Sequence, residues 1–169
     1  MPEISNRFPK RVYKRVILGL CLALLFTLCA CSGRVAKMND GYYTAEARYY
    51  DDHGWKEVVT IYVMNDTIVT VEYNAYNPSG FIKSWDMRYM RQMNEINGTY
   101  PNEYTRLYAD MLQTSQSPAE VDVISGATHS YYSFVRLSQA AIEQALAGDR
   151  QVAFVTIPAP IAEQAGGHE

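Results

Sequence analysis

From Lys56 to Asn65 the chain reads "KEVVTIYVMN", and Val59, Ile61 and Val63 alternate there with Val58, Thr60 and Tyr62. A period of two predicts a strand with one aliphatic face and one mixed face, the pattern of a sheet covered on one side. The flanking stretches "GYYTAEARYY" (41 to 50) and "TIVTVEYNAY" (67 to 76) are rich in Val, Ile, Thr and Tyr, which favour strands. In the latter, Ile68 alternates with Thr67 and Val69 before Val71 and Tyr73. Asn65 and Asp66, which tolerate positive φ, predict a tight hairpin turn between the second and third strands. "NPSG" (77 to 80) predicts the turn that closes an antiparallel meander.

The pattern then becomes helical. "KSWDMRYMRQMNEIN" (83 to 97) sets Trp85, Met90 and Met93 among charges, with Gly98 as its stop. "PNEYTRLYADMLQTS" (101 to 115) opens on a proline, favoured in a first turn, and spaces Tyr104, Leu107, Tyr108, Met111 and Leu112 for one face. Residues 130 to 148 predict the longest helix, with Phe134, Val135, Ala141, Ile142 and Ala145 on one side. Arg136, Gln139 and Glu143 lie opposite, and Gly148 ends it. "QVAFVTI" (151 to 157) suits an added edge strand, and the remainder is expected to be a disordered tail. The expected fold is therefore α+β: a small antiparallel sheet, a three-stranded meander with that edge strand, packed against about three helices. Residues 40 to 148 form one domain with one core, and residues 149 to 169 hold the edge strand and tail.

The first residues change what chemistry is open to this domain. Arg7, Lys10, Arg11, Lys14 and Arg15 precede an uncharged, mostly apolar run from Val16 to Ala30. That run is too short for an ordinary bilayer span and suits a secretory signal. It ends in "LCAC", which resembles the bacterial lipobox, where a small residue precedes a cysteine that is diacylated and becomes the new N-terminus. Residues 1 to 31 then form the signal, Cys31 is the lipidation site, and residues 32 to 39 are a polar linker. The other reading is an N-terminal anchor that is never cut. With the signal removed, Cys21 and Cys29 leave with it and Cys31 becomes a thioether, so no thiol remains for catalysis, disulfides or metal. The whole chain carries 15 basic and 18 acidic residues. Losing five basic residues and Glu3 leaves ten against seventeen, a net charge of −7. That balance argues against nucleic acid and leaves lipid, not charge, to hold the protein at a membrane. His53, His129 and His168 show no metal-ligand spacing, and no metal site is expected.

The candidate chemistry lies in "DVISGATHS" (122 to 130), an extended piece and a small-residue turn at the mouth of the last helix. A helix mouth offers free N–H groups and a positive dipole end, which favour phosphate. Ser125, Gly126 and Ala127 leave room around the backbone. The Thr128 hydroxyl has no evident His–Asp pair to activate it, so it suits an acceptor better than a nucleophile. Local physics equally allows a plain capped helix, with Ser125 or Thr128 as N-cap and Gly126 as turn residue. "DDHGW" (51 to 55) likewise reads either as a polar hairpin connection or as part of a binding site. In the second case Trp55 shields a bound ring and His53 lies nearby.

Asp122-x-x-Ser125-Gly126-Ala127-Thr128 resembles the flavinylation motif of the FMN-binding domain family, which includes subunits of sodium-pumping NADH:quinone oxidoreductases. "DGYYTAEARYYDDHGWKEVVTIYV" is similar to the opening of small lipoproteins of that family, among them membrane-anchored immunogens and lipoproteins of extracellular electron transfer. The resemblance covers roughly residues 40 to 148. It implies FMN held covalently by a phosphoester at Thr128, installed by a dedicated flavin transferase. Asp122, Ser125, Gly126 and Ala127 would support attachment, and Trp55 and His53 would lie near the ring. It implies an exported, lipid-anchored electron carrier facing outside the cytoplasm, fed by a quinone-linked or flavoprotein donor, rather than an enzyme with its own substrate. The rival readings are a module that holds flavin or another ligand without a bond, and a structural surface lipoprotein without redox work.

Overall fold

The computed structural model describes residues 36 to 158. The expected signal segment, Cys31 and the tail beyond Pro158 lie outside the described residues. Four strands form one sheet: β1 (Gly41–Ala47), β2 (Lys56–Met64), β3 (Thr67–Tyr76) and β4 (Ala153–Val155), in the order β3-β2-β1-β4. The first three make the expected meander, with Tyr43 opposite Ile61 and Ile61 opposite Val71. β4 is the added edge strand, shorter than expected, and it runs parallel to β1, with Ala45 opposite Ala153. The sheet is thus mostly antiparallel rather than wholly so. A parallel neighbour needs a crossover, and the long last helix supplies it.

Asn65 and Asp66 have φ of 53° and 62°, the backbone of the expected tight hairpin. A bulge lies between Tyr62 and Val63, which explains why the buried positions of β3 change phase after Ile68 and resume at Val71, Tyr73 and Ala75. Alternation on β2 buries Glu57 in line with Val59, Ile61 and Val63. The opposite face is mixed, as its pattern predicts. Tyr42 and Tyr62 stack there at 4.5 Å, and Lys56 pairs with Glu46.

Among the described residues three α-helices complete the fold: α1 (Met87–Asn97), α2 (Pro101–Ser115) and α3 (Thr128–Ala147). The helix expected from residue 83 starts later. Lys83–Trp85 form a 3-10 turn, and Asp86 then caps α1 by accepting from the N–H groups of Arg88 and Tyr89. Asp86 itself is extended, as an N-cap must be, so the 3-10 turn cannot run on into the helix. α2 matches its expected bounds. α2 packs on β3, and α3 packs on β1 and β2. The core between them contains Tyr43, Val59, Ile61, Tyr104, Tyr108 and Leu112 with Phe134, Leu137 and Ala141 of α3. Burying a side chain such as Phe134 or Leu137 contributes about 1.5–3 kcal/mol. Val135 and Ile142, expected on the buried face of α3, are only partly buried, and Leu137 takes the centre.

Candidate functional site

The last helix starts two residues earlier than its apolar pattern suggests. Gly126 has φ of +78°, and the Ala127 N–H donates to the Ile124 carbonyl at 3.0 Å to close a turn. The Ala127 carbonyl then accepts the first helical bond, from Tyr131 N–H at 3.0 Å. Ala127 is therefore the cap residue, and no side chain caps the helix. This corrects the capped-helix reading: Ser125 lies outside the helix, and Thr128 is its first residue rather than its cap. The N–H groups of Thr128, His129 and Ser130 precede the first helical bond, so they face outward from the positive end of the helix dipole.

The small residues are required by their neighbours as well. A Cβ added to Gly126 would collide with the backbone carbonyl of Asn97, because the turn lies against the end of α1. Tyr108 of α2 clasps the same turn from beneath. Its hydroxyl accepts from Ile124 N–H at 3.1 Å and donates to the Ala127 carbonyl at 3.2 Å. The Tyr73 hydroxyl, under the first turn of α3, lies 2.7 Å from Glu57 Oε1 and 3.0 Å from the Ser130 carbonyl. Two buried tyrosines thus fix a turn whose outer surface is exposed.

That turn forms one wall of a cleft of about 380 Å³, to which Gly126, Ala127, His129 and Ser130 contribute. The 51–55 connection forms another part of its wall. Asp51 Oδ1 accepts from His53 N–H at 2.9 Å and Trp55 N–H at 2.7 Å, and the Asp51 N–H donates to the Trp55 carbonyl at 2.7 Å. One carboxylate therefore folds the whole connection and turns Trp55 inward, where it is 7% exposed. His53 stays exposed on the cleft wall. Tyr49 and Tyr50, expected in the first strand, have left it and join this wall.

Glu57, Lys83, Tyr89 and Tyr104 also line the cleft. Lys83 is buried, with its Nζ 5.9 Å from the Trp55 ring centre and 5.3 Å from that of Tyr89. Burial lowers its pKa from the ordinary lysine value, and the charges of Glu57 and Asp51 oppose that shift. Burial raises the Tyr73 hydroxyl well above its usual value, and the Glu57 charge adds to it. Tyr104 is raised by burial too, and Tyr89 by burial and then by Asp51. The cleft therefore combines aromatic rings with one buried cation and one buried carboxylate in its wall.

Of the residues that the sequence singles out, Trp55, His53, Gly126 and Ala127 come together around this cleft. Thr128 is exposed between two residues that line it, whereas Asp122 and Ser125 are outside its wall. Sequence patterns do not single out Glu57, Lys83, Tyr73 or Tyr108 for the site. Glu57 does carry a signal, since it continues the buried period of β2; Lys83 carries none.

Comparison with known proteins adds a family. No protein-family model matches the chain. The chain is 34% identical over 138 residues to the 15 kDa lipoprotein of Treponema pallidum, covering 82% of this chain and 95% of that protein. The chain belongs to the family of that lipoprotein. The crystal structure of the CPE2226 protein from Clostridium perfringens is 32% identical and superposes with a TM-score of 0.69. The match spans 72% of this chain and 99% of that one, so the fold recurs in a second relative.

Proposed function

We propose that this protein is an exported lipoprotein, anchored through Cys31, that carries FMN as a phosphoester on Thr128 and passes electrons at the outer face of a membrane. The observation that carries the reading is the mouth of α3. It is uncapped by any side chain, has Thr128 exposed as its first residue, and opens beside an aromatic cleft. The cleft volume is within the range of small cofactor sites, and the Trp55, Tyr89 and Tyr104 rings in its walls suit a flat ring system. The relationship to a protein named as a lipoprotein supports the anchor.

In this reading the N–H groups at the start of α3 hold the phosphate, and the Thr128 oxygen carries it. Ser125 and Gly126, both exposed and small, keep the approach clear for the attaching transferase, and Tyr108 keeps the turn from shifting when it is used. Trp55 and Tyr89 cover the ring and limit water. FMN, when bound, supplies the electron-transfer chemistry, and the protein sets its position and surroundings. Electrons would arrive from a quinone-linked or flavoprotein donor.

The test is full-length protein produced in a host that makes the flavin transferase, beside Thr128→Ala. Yellow colour that survives denaturation and dialysis in the wild type, and is absent from the variant, is expected. Colour lost on dialysis would instead mean a module that binds flavin without a bond, and a colourless wild type would mean no flavin role.

A further inference from the structure

Lys83 sits in the 3-10 turn that joins β3 to α1, and 7% of it is exposed. Its ammonium lies near the faces of Trp55 and Tyr89, two cation–π contacts, yet among the described residues no carboxylate lies within ion-pair distance. Glu57 is near enough to be felt, but its Oε1 is taken by the Tyr73 hydroxyl at 2.7 Å. Burying a cation costs several kcal/mol, which two ring faces and the charges of Glu57 and Asp51 offset only in part. This one nevertheless lines the same cleft as Ala127 and His129, the residues on either side of Thr128.

We propose that Lys83 is the counter-ion for the negatively charged edge of the reduced flavin ring, and so a positioning residue that sets the potential of this carrier. The inference rests on the flavin reading above. Reduction would add two electrons from the quinone-linked or flavoprotein donor, and one proton from solvent, to the ring. The proton goes to N5, and one negative charge is left spread over the N1 and C2-carbonyl edge. Lys83 meets that charge with its own, in a wall that excludes water, where a charge interaction is worth more than at the surface. It has no comparable partner in the oxidised ring, so its effect differs between the two states and favours the reduced one.

The experiment uses the full chain loaded with FMN by the transferase, as wild type, Lys83→Met and Lys83→Arg. Intact mass records loading, and a dithionite titration against indicator dyes records the midpoint potential. Methionine replaces the buried charge by an apolar chain of similar length, so the fold is expected to hold. All three proteins are expected to load. Lys83→Met should lose about tenfold of its preference for the reduced form, a midpoint lower by about 30 mV for a two-electron couple. Lys83→Arg, which keeps the charge, should stay near the wild-type midpoint. A loaded Lys83→Met protein with the wild-type midpoint overturns the proposal, and so does a folded one that no longer loads. A wild type with no gain in mass sinks the flavin reading itself, and this proposal with it.

Discussion

α1 enters from Asp86, whose carboxylate accepts from Arg88 N–H at 3.1 Å and from Tyr89 N–H at 2.9 Å, whereas α3 enters from Ala127, which has no polar side chain to offer. α2 also lacks a side-chain cap, but it opens on a buried proline that has no N–H to satisfy. The open mouth of α3 is therefore not a general habit of this chain. Serine and threonine lie within three residues of it, and neither is used as a cap. What α3 forgoes in capping it regains from below, through Tyr108 and Tyr73. That division leaves the outer surface of the turn free and its inner surface rigid. A helix mouth built this way suits a group that arrives from outside and must then stay put.

The contrast can be broken most severely at Gly126. Gly126→Ala combines a positive φ with a collision at the Asn97 carbonyl. A loss of about 2–4 kcal/mol in urea unfolding is expected. A loss under about 0.5 kcal/mol would mean that the turn yields, contrary to its clasped geometry.

High pH attacks the same support from beneath. The hydroxyls of Tyr73 and Tyr104 titrate above their ordinary value in the folded protein, chiefly because of burial. Their protons are kept in the fold while the unfolded chain loses them near pH 10. Their contribution is therefore constant below pH 10 and falls as pH rises past it, by about 1.4 kcal/mol per pH unit for each of the two. Lys83, whose pKa is lowered, works in the opposite direction, since the unfolded chain there holds the extra proton. It is one group against five, because Tyr76, Tyr89 and Tyr108 are also raised above the usual tyrosine value. Urea midpoints between pH 8 and pH 11 would check this, and a flat profile would contradict it.

Tyr108→Phe removes a single oxygen, which leaves Ile124 N–H without its partner and the Ala127 carbonyl with only Tyr131 N–H. A loss of about 1–3 kcal/mol is expected, with faster amide exchange at Ile124. Asp86→Ala makes the mouth of α1 resemble that of α3 without the tyrosine support, and should cost about 1 kcal/mol. The smallest effect is expected from Thr128→Ala, an exposed first-turn position where stability should stay within about 0.5 kcal/mol of the wild type. If that change cost as much as Asp86→Ala, Thr128 would be a structural residue and the contrast between the two mouths would collapse.

Much of the fold is legible in the sequence, for reasons visible residue by residue. The alternation of Val59, Ile61 and Val63, the Asn65–Asp66 turn and the spacing of Tyr104, Tyr108 and Leu112 are local patterns, and each element forms where its pattern lies. Apolar spacing places the start of α3 too late, because that spacing begins only inside the helix, at Tyr131 and Phe134. The first turn is set by Gly126 against Asn97, a contact remote in sequence. The parallel edge strand depends on where α3 delivers the chain. The 51–55 wall and the 125–128 turn are each legible as motifs, but not that they face one cleft. Lys83 escapes such a reading altogether, since nothing nearby in sequence says that it is buried beside two aromatic rings.

The central claim is that the mouth of α3 is left open to receive a phosphate-linked flavin at one named oxygen. Fragment-ion mass spectrometry of peptides from the transferase-treated protein tests it most directly. The account predicts a gain of one FMN less water, borne by Thr128 and by no other hydroxyl of the 125–130 segment. The same gain on Ser125 or Ser130, or an unmodified Thr128 in protein made with an active transferase, would contradict it.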